Sequence, residues 1–130
     1  MSKSNENEPL AVMLIHGSIG ASVAGVPCMW IPKKSKVLAM HIADKLGVAA
    51  DNTNYLLVQV KVGSAVVAQL DTRAANQGAL VAGVSSAMVV DPAVAGADHI
   101  AAGSDVSVDV TLHGTASLSD AAITMEYFPL

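Results

Sequence analysis

Charge is scarce in this chain. Only 14% of its 130 residues are Asp, Glu, Lys or Arg, against roughly 25% in an ordinary soluble domain. So little ionised surface does not clothe an isolated monomer, and part of the surface is expected to lie against other protein. Basic charge is the scarcer sign, with 7 Lys and Arg against 11 Asp and Glu and a net of −4. That balance argues against a nucleic-acid binder, which carries a basic face. A single cysteine, Cys28, rules out an intrachain disulfide. It reads as a small buried hydrophobe and suits a reducing compartment. No uninterrupted apolar run approaches the roughly 18 residues of a membrane-spanning helix. The start, Met1 to Pro9, is polar and lacks the apolar stretch of a signal peptide. Synthesis in the cytoplasm is therefore expected, followed by retention there or release by lysis. Aromatics make up only 3%.

What the chain does have is alternation. Val106, Val108, Val110 and Leu112 alternate with Ser107, Asp109, Thr111 and His113. A spacing of two sends the apolar set to one face of a strand and the polar set to the other. After a Gly/Ser/Thr/Asp-rich link, Ile123, Met125 and Tyr127 repeat the pattern. Leu56, Val58, Val60 and Val62 do so again, and Gly63-Ser64 predicts a tight hairpin turn into a return strand over 65–70. The apolar run Leu10 to His16 is too short for a helix and predicts a buried strand. Glycines make 19–26 at best a weak strand. Pro27 and Pro32 bracket Cys28 to Ile31 and limit it to a short edge strand or an extended crossing. Over 35–47 two periods compete. A helical stripe has Ser35 and Gly47 as caps, whereas a strand puts Leu38, Met40 and Ile42 on one face; the strand-rich context selects the strand. Residues 91–98 read as a surface connection. About eight short strands with turn signals every eight to twelve residues predict an all-β, antiparallel sandwich or barrel. The domain plan is a flexible arm over 1–9 and a single β-sandwich domain over 10–130.

Chemistry is thin. Gly20 stands two residues after Ser18, as in a nucleophile elbow, but His16 occupies the place of the first glycine. A glycine-rich turn is the better reading. His16, His41, His99 and His113 are scattered, without metal-ligand spacing. No D-x-D-x-D-G calcium loop or glycine-rich phosphate loop occurs. No catalytic, metal-binding or cofactor-binding residue is assigned, and a non-enzyme without cofactor is expected. Trp30, the sole tryptophan, fills the core or anchors an interface. The candidate partner contacts are Pro9 and Leu10 at the root of the arm, and Met29, Trp30 and Ile31.

From Asp51 to Phe128 the chain resembles the small jelly-roll proteins of tailed-bacteriophage virions. The features are the N-T-N-Y loop at 52–55, the hairpin across Gly63-Ser64, the A-G-S-D turn at 102–105, and the G-T-A-S link before a last strand ending E-Y-F-P at 126–129. The resemblance implies a jelly-roll-like sandwich and a capsid decoration, or cement, protein. It also implies a homotrimer on the outer surface of the head, stabilising it by binding between major capsid protein subunits. Two other functions compete on the same fold. One is a receptor- or carbohydrate-binding module of a phage tail or fibre, and the other is a cupin-type enzyme.

Overall fold

The computed structural model describes residues 9–90 and 99–130. Of the expected arm over 1–9, residues 1–8 lie outside the described residues, as does the connection over 91–98. Ten strands form: β1 Leu10–Ile19, β2 Val23–Ile31, β3 Ser35–Ala43, β4 Leu56–Val62, β5 Ala65–Asp71, β6 Ser86–Ala87, β7 Val89–Val90, β8 His99–Ile100, β9 Ser104–Leu112 and β10 Leu118–Pro129. No helix occurs among the described residues. The strands build two antiparallel sheets packed face to face. One runs β1-β10-β3-β6, with β8 also on β3, and the other β2-β9-β4-β5-β7. Successive strands β1 to β4 change sheet each time, and the first strand pairs with the last. That is jelly-roll connectivity.

The alternating segments build the core. Val58, Val60, Val106, Val108, Val110, Ile123 and Met125 are all within 1% of complete burial. Each such side chain contributes about 1.5–3 kcal/mol by leaving water. Val108 sits mid-sheet, opposite Val26 on one side and Val60 on the other. Few aromatics suffice because branched aliphatics from both sheets interlock in this layer.

Several expectations change. β9 and β10 are consecutive but belong to different sheets, so the link from Gly114 to Ser117 crosses the sandwich. The apolar run at 10–16 is not buried throughout, because β1 is a sheet edge with Leu10 and Met13 exposed. The glycine-rich stretch extends β1 to Ile19 and begins β2 at Val23. β2 is an edge strand, as its prolines require, but it is nine residues long. Over 35–43 the chain is a strand, yet Leu38 faces out while Val37, Met40 and Ile42 face in. The cause is a bulge: Glu126 and Tyr127 of β10 are adjacent, but their partners are Ala39 and Val37, which leaves Leu38 as the extra residue.

Candidate docking surface

The two outer faces of the sandwich differ in kind. On the first sheet, register aligns Met13, Thr124, His41 and Ala87 in one row, His16, Ala122 and Ala43 in a second, and Ala11, Glu126 and Ala39 in a third. These residues alternate with the core positions Ile42, Ile123 and Met125, so they point away from the core. Glu126 is the sole Asp, Glu, Lys or Arg in the three rows, and most of the rest are alanine. With Lys36 in the adjoining row beside Phe128 and His99, this face carries two charges of opposite sign, and alanine is its commonest residue. On the second sheet, Asp109, Gln59 and Gln69 form one row, and Ser107 and Lys61 another. Lys61 Nζ lies 2.6 Å from Asp109 Oδ2. The Gly25 amide, in the bulge of β2, donates to Asp109 Oδ1 at 2.6 Å. This face is hydrogen-bonded and charged.

One side of the sandwich is also distinctive. β1 and β2 are the first strands of their sheets. Across the opening between them lies an apolar slot of about 240 Å³, lined by Ile15, Ile19, Val23, Val26, Leu118 and Ala121. Trp30 is 58% exposed on β2 and Met13 is 55% exposed on β1.

At the end of the sandwich where β4 starts, polar groups hold loops in place. Tyr55 stacks on His113 with ring centroids 4.2 Å apart, and Arg73 Cζ lies 4.6 Å from the Tyr55 ring centre. Arg73 Nε donates to both Asp71 oxygens at 3.1 and 3.0 Å. Asp51 accepts from the Thr53 and Asn54 amides, closing an Asx turn. A cleft of about 280 Å³ opens beside it, bordered by Asn54, Thr115 and Ser117. The Asn54 side chain already accepts from the Thr115 amide there. Asp44, which carried no signal in the sequence, is buried. Its Oδ1 accepts from the Ser119 amide at 2.6 Å, while its buried Oδ2 has no hydrogen-bond partner.

These contacts hold three carboxyls below their ordinary value. For Asp71 the cause is chiefly the Arg73 side chain. For Asp109 it is the Lys61 ammonium and then the Gly25 amide. For Asp51 it is the Asn54 and Thr53 amides. A carboxyl depressed in the folded state contributes stability that is complete above its unfolded value of 3.8 and is lost as pH falls through the folded value. From these groups, the thermal midpoint is expected to hold steady from about pH 7 to 5 and to fall below about pH 4. Asp109→Asn should flatten part of that acid slope in a calorimetric pH series. An unchanged slope would mean that the Lys61 and Gly25 contacts add nothing to stability.

No family model matches the chain, and neither does any curated protein or solved structure.

Among the described residues no three His, Cys, Asp or Glu side chains converge as a metal site would need. Ser18 Oγ accepts from the Asp120 amide at 2.9 Å and so ties β1 to the start of β10. Burial pushes the Cys28 thiol up, and its Sγ–H donates to the Val26 carbonyl. Of the candidate contacts, Pro9, Leu10 and Trp30 are exposed and Met29 is half-buried. Ile31 is fully buried, so its side chain serves the core and is corrected from a surface position; alternation on β2 turns Trp30 out and Ile31 in. The neutral face of the first sheet was missed. Its residues come from four separate strands, and alanines in strands give no periodic signal of their own.

Proposed function

We propose that this jelly roll is a structural virion protein of the capsid-decoration type. It would act by adhesion, holding neighbouring major capsid protein subunits together on the outer surface of the head. The observation that carries this reading is the contrast between the two outer faces. A protein seated on a shell needs one face fit for burial against protein and another fit for water. The alanine-rich face of the first sheet loses little side-chain entropy on burial and strands only two charges, of opposite sign. The second sheet, with Asp109, Lys61, Gln59 and Gln69, is suited to solvent. The jelly-roll topology agrees with the resemblance of 51–128 to small virion proteins, and the fold itself hosts capsid domains and lectins alike. Adhesion of this kind needs no cofactor.

Co-sedimentation with expanded heads stripped of the protein tests the reading. The wild-type chain is expected to bind. Ala122→Glu with Thr124→Glu should weaken binding by ~30-fold or more, the effect of about 2 kcal/mol for an unpaired charge buried at an interface. Gln59→Glu on the opposite face should bind as the wild type does. A wild-type chain that stays in the supernatant, or face variants that bind unchanged, would sink the proposal.

A further inference from the structure

We infer that the outer face of the second sheet carries a binding cleft for a neutral glycan, between β2 and β9 beside Trp30. The cleft has a cause in the backbone. β2 pairs with β9, but its register breaks between Val23 and Val26 and again between Pro27 and Met29. Extra residues bend a strand locally and disrupt its ladder. At the second break a cleft of about 540 Å³ opens, with Gly25, Pro27, Met29, Asp105 and Ser107 in its lining. That volume falls within the roughly 300–1,000 Å³ of small-molecule sites.

The side chains around the cleft are of two kinds. Asp105 and Ser107 alternate with the buried Val106 and Val108, so they face outward. Trp30 stands directly opposite Asp105 in the register and shares its face. It is 58% exposed, a large apolar ring left in water at the mouth of a cleft with polar groups. A pyranose ring has the matching two-sided character. Its C–H face is apolar and covers an indole, while its hydroxyls donate and accept around the rim. The Asp105 carboxylate can accept from two hydroxyls, and the Ser107 hydroxyl can donate or accept.

Charge narrows the ligand class. Asp109 is held by Lys61 and the Gly25 amide, but the exposed Asp105 carboxylate has no ion-pair partner among the described residues. Lys61 is committed to Asp109, so an anionic ligand such as a sialylated sugar or a phosphate meets an uncompensated carboxylate here. A bare ammonium is disfavoured on other grounds. Cation sites of the aromatic kind enclose the charge among several rings, and this cleft has one. The site lies on the face opposite the alanine-rich one. It therefore goes beyond the decoration reading, does not depend on it, and stays open to solvent on a protein seated by its first sheet.

A printed array of neutral and sialylated oligosaccharides, probed with the labelled full chain, tests the inference. Neutral glycans are expected to bind and sialylated ones to stay dark. Trp30→Ala should remove the signal. Asp105→Asn should weaken it by ~10-fold or more, the effect of losing hydrogen bonds to a charged acceptor. Ala122→Glu with Thr124→Glu, altered on the other face, should bind glycans as the wild type does. Trp30→Ala should in turn bind heads unchanged, so the two readings fail separately. Should Trp30→Ala fold poorly, the wild-type emission spectrum decides, because Trp30 is the sole tryptophan. Titration with maltose, lactose or mannobiose is expected to shift it saturably, with a Kd of ~1 mM for so open a site. A silent array, signals confined to sialylated glycans, a signal that survives Trp30→Ala, or an emission that no disaccharide moves would each overturn the inference. A larger saturable shift with choline chloride than with any disaccharide would also overturn it.

Discussion

Val108→Asp is expected to unfold the protein. Val108 is fully buried at the centre of the second sheet, between Val26 and Val60 and beneath the first sheet. A carboxylate there has no cation or donor within its apolar layer. The effective penalty for a buried unpaired ion is several kcal/mol, and the lost valine packing adds about 1–3 more. A domain of this size has about 5–15 kcal/mol in all, so the two losses together consume most or all of it. Ser107→Asp, one residue away, is the matched control. Ser107 faces out and stands opposite Lys61, so a carboxylate there stays within about 0.5 kcal/mol of the wild type. Circular dichroism and urea titration of the pair would check both. A folded Val108→Asp protein, or an unfolded Ser107→Asp one, would contradict the facing of β9.

Gly47→Ala is expected to cost about 2–4 kcal/mol, combining left-handed strain with a displaced hydrogen-bond pair. Gly47 has φ +77°, and a Cβ there would lie 2.7 Å from the Leu80 carbonyl oxygen and 2.9 Å from the Ala82 nitrogen. Both neighbours are backbone and cannot swing aside as a side chain could. The Leu80 oxygen also belongs to the bridge in which Val48 N donates to Leu80 O at 2.9 Å and Leu80 N to Val48 O at 2.8 Å. Making room for the methyl group therefore strains or breaks the tie between the loop after β3 and the loop before β6. Gly20→Ala is the comparison, since nothing lies within 4 Å of a Cβ there and its φ is ordinary. It should change the thermal midpoint little. If both substitutions shift the midpoint equally, the close approach at Gly47 is not a stabilising constraint.

These two sites differ in how visible they were. Val108 belongs to an alternating run whose period alone assigns its face. Gly47 was legible only as a possible helix cap, because the atoms that crowd it come from 80–82, far away in sequence. The candidate surface follows the same division. Low charge pointed to a protein-covered surface without locating it. Trp30 stood out by rarity, and its neighbour Ile31 went to the core. Asp44 gave no sign of burial, since its partner, the Ser119 amide, lies on β10.

The sequence by itself determined the all-β class, the hairpin at Gly63-Ser64, the inward faces of β4, β9 and β10, and the shortage of charge. These are local properties, fixed by side-chain alternation and turn chemistry within a few residues. Only the tertiary structure decided which strands share a sheet, because pairing joins residues as far apart as Leu10 and Tyr127 and no local period encodes a partner. It alone sent β9 and β10 to opposite sheets, turned Leu38 out through a bulge, and left β1 at a sheet edge. It alone gathered alanines from four strands into one neutral face. An edge and a face are relations among strands, so they exist only once the sandwich has closed.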